Sequence, residues 1–182
     1  MKITEIGIKA TKELLEVISG VKESQILSLK ELILKTNKIY FSGAGRSLLM
    51  MRCLAMRLMH VGFNIYIVGD TTTPVFEKDD LLIVASGSGE TKSSLLVVDM
   101  AKSYGGSIAS FTRSVESTIA LRSDVVVEIP PYISKENEDN ILPAGSIFEQ
   151  SILILGDSMI LDLAKAKNIP VNKMFDLHTN LE

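Results

Sequence analysis

The sequence predicts an α/β fold: a doubly wound parallel sheet covered by helices on both faces, a three-layer sandwich. Three observations carry this reading. From residue 38 onward, short strand-like apolar runs alternate with stretches of helical periodicity. One run, Leu81-Leu82-Ile83-Val84-Ala85, is apolar throughout, as expected of a strand buried on both faces. Two loops rich in Ser and Gly, residues 43–47 and 86–91, each follow such a run and precede a helix, which places both at the carboxyl edge of the sheet.

Taken in order, residues 3–36 carry apolar positions at helical spacing (Ile6, Leu14, Ile18, then Leu29, Leu32 and Ile33), broken at Gly20, and read as a helical hairpin. Residues 39–41 form a strand that leads to a helix from about 47 to 60, with Gly62 as its stop. A strand over 64–68, a polar connection over 71–80 and the apolar strand 81–85 follow. The next helix, about 91–104, ends at Gly105-Gly106. Residues 108–111 and 125–129 are strands, with a short helix at 116–121 between them. Residues 130–140, with Pro130-Pro131 and several acids, read as an exposed loop. A long helix spans about 146–167, and Pro170 opens a short tail. Residues 1–182 are expected to form one domain, a helical segment over 1–36 and the sheet with its helices over 37–182.

Composition narrows the function. A chain of 182 residues fits one domain of roughly 100–200 residues. Apolar residues at 46% and a mean hydropathy of +0.27 suggest that part of the surface is covered by another subunit. A net charge of −3, a pI near 5.5 and only 5% aromatics argue against nucleic acid or an acidic membrane as partner. No apolar run approaches the ~20 residues of a membrane span, and the N-terminus lacks the apolar core of a signal peptide, so a cytoplasmic protein is expected. The one cysteine, Cys53, sits in a helical pattern and reads as packing.

The two loops combine hydroxyls, backbone N–H groups and a helix N-terminus, which suits a phosphate. Gly43-Ala44-Gly45-Arg46-Ser47 opens like a dinucleotide fingerprint, but Leu48 stands where its third Gly belongs, and an ordinary turn explains it as well. The second loop says more: Ser86, Ser88 and Thr91 supply three hydroxyls within six residues, beyond what one helix cap needs, and Gly87 and Gly89 let the backbone wrap an anion. Glu90 would repel a phosphate, so it points away, caps its own helix or meets a sugar hydroxyl. Two histidines, His60 at a helix end and His178 in the tail, are the candidates for proton transfer, each with a structural alternative. Glu149 stands three residues after Ser146 and fits a Ser-x-x-Glu capping box. The histidines and the cysteine share no metal-ligand spacing, so no metal is expected.

Several of these segments closely resemble the 6-phospho-3-hexuloisomerases, members of the SIS (sugar isomerase) domain family. The resemblance rests on Gly43–Ser47, on Ala55-Met56-Arg57-Leu58-Met59-His60-Val61-Gly62-Phe63 and on Ser86-Gly87-Ser88-Gly89-Glu90-Thr91. It extends to Pro143-x-Gly145-Ser146-x-Phe148-Glu149-Gln150 and His178-x-Asn180-Leu181-Glu182, and covers nearly the whole chain from about residue 36. It implies a five-stranded parallel sheet, a homotetramer, no cofactor, and interconversion of D-arabino-3-hexulose 6-phosphate with fructose 6-phosphate through an enediol, alongside a 3-hexulose-6-phosphate synthase. By resemblance, Gly45, Arg46, Ser47, Ser86, Gly87, Ser88, Glu90 and Thr91 hold the substrate. Glu149 is then the base, and His178, with His60 in reserve, the acid or carbonyl polariser, His178 coming in one version from a neighbouring subunit. Leu48, Ala144 and Leu177 depart from the family's usual Gly, Met and basic residue, with Leu48 expected to narrow the sugar pocket. The alternatives are another phosphosugar isomerase, of the arabinose 5-phosphate type, and a phosphosugar-binding module without turnover.

Overall fold

The computed structural model describes residues 2–133, 141–143 and 145–181, the side chain of Phe175 excepted. The acidic cluster over 136–139 and Ala144 therefore lie outside the described residues.

Two helices open the chain, α1 (Ile3–Ser19) and α2 (Glu23–Lys35), with the break at Gly20 where the periodicity lapses. Five strands follow, β1 (Lys38–Gly43), β2 (Asn64–Ile67), β3 (Leu81–Ala85), β4 (Ser107–Thr112) and β5 (Val125–Glu128). Between and after them lie α3 (Gly45–His60), α4 (Lys92–Ser103), α5 (Thr118–Leu121) and α6 (Ser146–Ala166). All neighbouring strands run parallel, in the order β2-β1-β3-β4-β5. The tail is more ordered than its sequence suggests: Val171–Leu177 forms a 3-10 helix seated on the core through Met174.

The alternation along each strand sorts the core into two layers. Ile39, Phe41, Leu81, Ile83, Ala85, Ala109, Phe111 and Val127 point to the larger cluster, which α1, α2, α3 and α6 complete. Tyr40, Leu82, Val84 and Ile108 point to the smaller one, covered by α4 and α5. β3 is buried along its whole length, as its unbroken apolar run requires.

α3 and α6 lie side by side and run in the same direction away from the carboxyl edge. Arg46 pairs with Glu149 near their starts, Leu54 packs where Gly156 leaves room, and Arg57 approaches Asp157 at 3.7 Å further down. At the opposite edge the 71–80 connection is tied to β1. Lys38 Nζ meets Glu77 at 2.7 Å and the buried Asp80 at 3.2 Å, which raises the lysine pKa, and the Tyr40 hydroxyl donates to Val75 O at 2.7 Å.

Gly106 sits against that connection. A Cβ there would lie 2.4 Å from the Phe76 ring and 2.9 Å from Asp80 O. Gly106→Ala is expected to cost about 1–3 kcal/mol by overpacking, read as a lower urea midpoint. An unchanged midpoint would mean that the 71–80 connection does not pack there.

Candidate active site

The sheet order reverses between β1 and β3, and both Ser/Gly loops leave the sheet at that point. Gly43 at the end of β1 is paired with Ala85 at the end of β3. α3 then turns to one face and α4 to the other, opening the crevice in which ligands of such sheets bind.

The second loop is built by its own hydroxyls. Ser86 Oγ lies 2.9 Å from Thr91 Oγ1 and accepts from Gly89 N at 3.1 Å, while Ser88 Oγ accepts from Glu90 N at 3.2 Å. Thr91 precedes α4 but its side chain caps nothing, so the plain capping reading of this loop fails. Among the described residues the amides of Gly87 and Ser88 donate to no protein group, which leaves both for an anion.

Gly89 requires its glycine twice over. Its φ of +68° is left-handed, and a Cβ would fall 2.1 Å from Ser117 Oγ. That close approach clips the loop to α5: Gly89 O accepts from Ile119 N at 3.0 Å, and Glu90 Oε1 accepts from Thr118 N at 2.7 Å. The Thr118 bonds hold the Glu90 carboxyl below the usual carboxylate range. Of the options open to Glu90, it takes the first: it turns to α5, where it accepts from Thr118 N, and does not cap its own helix.

Glu149 departs from its local motif. α6 starts behind Gly145, whose φ of +92° sets the entry, and no side chain caps it, so the Ser146–Glu149 capping box does not form. The Glu149 side chain, 11% exposed, instead forms an ion pair with Arg46, whose side chain is 61% exposed. Arg46 and Glu149 are 103 positions apart in sequence and meet at the mouth of the crevice. Ser47 lies in the first turn of α3, half-buried, with Leu48 beside it packing against the main core, where its bulk is accommodated.

The histidines lie elsewhere. α3 carries His60 about 20 Å from Arg46 at 1.5 Å per residue, to the amino edge of the sheet where β2 begins. His60 is 3% exposed and stacks on His178 with ring centroids 5.3 Å apart. His178 Nδ1 also lies 3.1 Å from Thr179 O. The two histidines thus meet each other, and within one chain neither meets Glu149. Beside them α3, α6 and the tail enclose a cavity of about 430 Å³, which Arg57, His60, Asp157 and Met174 help to line.

The arrangement offers hydroxyls and amides for a phosphate, and a desolvated carboxylate beside a cation for proton transfer. The family described as the SIS domain matches residues 32–153, which contain both loops and the first turn of α6. The chain belongs to the SIS domain family. The 3-hexulose-6-phosphate isomerase of Bacillus subtilis is 40% identical over 185 residues, covering 100% of both chains. A crystal structure of a Methanococcus jannaschii protein, from which a function as 3-hexulose-6-phosphate isomerase was inferred, is 36% identical, with a TM-score of 0.83 over 95% of this chain and 97% of that one. An E. coli CFT073 protein, solved in complex with a ligand, is 28% identical, with a TM-score of 0.80 over 98% and 100% of the two chains.

Sequence reasoning about this SIS domain overlooked Ser117 and Thr118, which fix the second loop, and Arg113, which follows β4 at the same edge. Each looks like an ordinary loop residue until the strands are laid side by side.

Burial lowers the His60 pKa below its ordinary 6.5, with further lowering from His178 and then Arg57. Below pH 6.5 the unfolded chain takes up the proton before the folded one, so stability falls with acid between 6.5 and the depressed value. Urea midpoints at pH 7.5 and 5.5 are expected to drop less in His60→Asn than in wild type. Equal drops would mean that His60 is not held neutral by its surroundings.

Proposed function

We propose that this protein interconverts D-arabino-3-hexulose 6-phosphate and fructose 6-phosphate, acting without a cofactor. The observation that carries the reading is the buried Glu149 carboxylate, paired with Arg46, at the crevice where the phosphate loop opens. The named isomerases among its relatives support the choice of substrate.

The phosphate rests on the Gly87 and Ser88 amides with the hydroxyls of Ser86, Ser88 and Thr91, aided by Ser47 and the first turn of α3 at Gly45. Glu149 takes the proton from C2 of the 3-ketose, leaving an enediolate across C2 and C3. Its carboxylic acid returns a proton to C3, while the hydroxyl proton passes from O2 to O3. The carboxylate form that a base needs is the form that pairs with Arg46, and Arg46 is free to follow the negative charge onto the enediolate oxygen. Glu90 contributes by holding the loop rather than by touching phosphate.

His178, with His60 behind it, serves as the carbonyl polariser for the open-chain 3-ketose and, in the reverse direction, as the acid that opens the furanose ring of fructose 6-phosphate. Since neither reaches Glu149 in its own chain, the His178 that acts belongs to a neighbouring subunit of a homotetramer. The exposed apolar side chains of α3 and α6, among them Leu49, Met56, Leu153, Ile154 and Leu161, support such an assembly. Residues 1–182 act as one cytoplasmic SIS unit alongside a 3-hexulose-6-phosphate synthase. Among the described residues no helix is long and apolar enough to cross a membrane.

Glu149→Gln is expected to lower turnover by about 10²–10⁴-fold while the circular-dichroism spectrum stays unchanged. The assay couples the protein to the synthase with formaldehyde and ribulose 5-phosphate and follows fructose 6-phosphate. Wild-type rates in the variant would place the base elsewhere. A folded wild type that turns over arabinose 5-phosphate instead would move the protein to the other isomerase class.

The shared-subunit reading has its own test. Glu149→Gln and His178→Ala chains, each inactive alone, are expected to regain activity when unfolded together and co-refolded. If the mixture stays inactive, His178 does not act across subunits.

A further inference from the structure

The chain has five arginines. Four face a carboxylate: Arg46 with Glu149, Arg52 with Asp70 at 2.7 Å, Arg57 with Asp157 at 3.7 Å, and Arg122 with Asp99 at 2.9 Å. Arg113 pairs with none among the described residues, although it stands at the carboxyl edge of the sheet beside the phosphate loop. The Phe111 that precedes it by two residues is in register with Ala85, the residue before that loop.

Arg113 is also held in place. Its backbone N–H and its side-chain Nε both donate to Gly87 O, at 3.2 and 3.1 Å. The Nε bond tethers the guanidinium to the loop, and the two Nη groups have no protein partner among the described residues. Gly87 is in contact range of it: a Cβ there would lie 3.4 Å from Arg113 Nε and 3.4 Å from the Phe148 ring. The guanidinium therefore lies next to the middle of the loop, on the side where Phe148 leads into Glu149. It lines a cleft of about 120 Å³ with Gly145 and Phe148.

The charge balance gives this position a purpose. Hydroxyls and amides order a phosphate but do not neutralise it, and Arg46 is matched by Glu149. A tethered, unpaired guanidinium is suited to a phosphate oxygen, since its remaining N–H groups form a fork. We infer that Arg113 is a substrate-binding residue that supplies the positive charge for the sugar phosphate held on the 86–91 loop. The inference rests on the phosphosugar reading of that site, and it needs binding but no turnover.

The test is calorimetry of fructose 6-phosphate on the full-length protein, wild type against Arg113→Gln, at several ionic strengths, with turnover measured in parallel. Loss of a charge-assisted hydrogen bond should weaken binding about 10- to 100-fold, raise KM by a similar factor and flatten the salt dependence. A merely structural role for Arg113 would leave the salt dependence as it is. Arg113→Lys, which keeps the charge but not the fork, should fall between the two, and carries the test if Arg113→Gln fails to fold. Wild-type affinity and salt dependence in both variants would overturn the inference. Binding that depends on Arg113 in a wild type that forms no hexulose 6-phosphate would support Arg113 and overturn the isomerase reading. A wild type that binds neither fructose 6-phosphate nor inorganic phosphate would overturn both.

Discussion

The parallel pairing of β1 with β3 is the constraint on which the rest depends. The chain lays β2 on the outer side of β1, then returns to place β3 on the other side, so the strand order reverses at this one pair. With right-handed crossovers, the helices after β1 and β3 must go to opposite faces. Their connecting loops then diverge from adjacent strand ends, at Gly43 and Ala85, and leave a crevice between them. The strongly apolar β3 makes the pairing firm, since every one of its side chains is buried. The 86–91 loop is thus attached to the fully buried strand of the sheet, and its Ser and Gly residues need only shape the last few ångströms.

The parallel course of α3 and α6 follows from that topology and brings the charges together. Because both helices leave from the carboxyl edge, the first turn of one lies beside the first turn of the other, and Arg46 meets Glu149. Glu149 lies in the first turn of α6, where the helix dipole favours a negative charge. Its carboxylate is largely out of water, where loss of its partner costs more than at the surface. A substrate that draws Arg46 towards its own oxygens would release the carboxylate at the moment a base is required. On the proposed mechanism the pair would serve as a resting state of the site as well as a contact between α3 and α6.

The sheet and its helices were legible because their signals are local: an apolar run for β3, helical spacing for α1 and α2, glycine at the ends of α3 and α4. The 86–91 loop stood out for the same reason, three hydroxyls and two glycines within six residues. Glu149 shows where local reading fails. Ser146 and Glu149 have the spacing of a capping box, but Gly145 enters the helix with a left-handed backbone, and an arginine 103 residues away claims the carboxylate. Arg113 was illegible because its meaning is comparative. Only when the other four arginines are seen beside their acids does the one without such a partner among the described residues stand out. Glu90, Thr118 and Ser117 likewise depend on α5 coming to rest beside the loop, which no spacing within either segment announces. The 3-10 turn of the tail was missed because its order comes from Met174 reaching the core, a tertiary contact with no periodic signature.

The position of the histidines constrains any mechanism built on this site. α3 is a rigid rod that starts in the crevice at Gly45 and ends at His60, so the distance between them is set by sixteen helical residues and cannot be closed by a side-chain rotation. The tail does not bridge it either, since Val171–Leu177 packs against the far end of α3 and leaves His178 stacked on His60. A single chain therefore has the 86–91 loop and Glu149 at one end and both imidazoles at the other. If a histidine takes part in catalysis, it must come from a second chain laid against the α3–α6 face, where apolar side chains stand exposed and the cavity beside His60 opens. Assembly would then do more than cover apolar surface: it would complete a site that the isolated fold leaves divided.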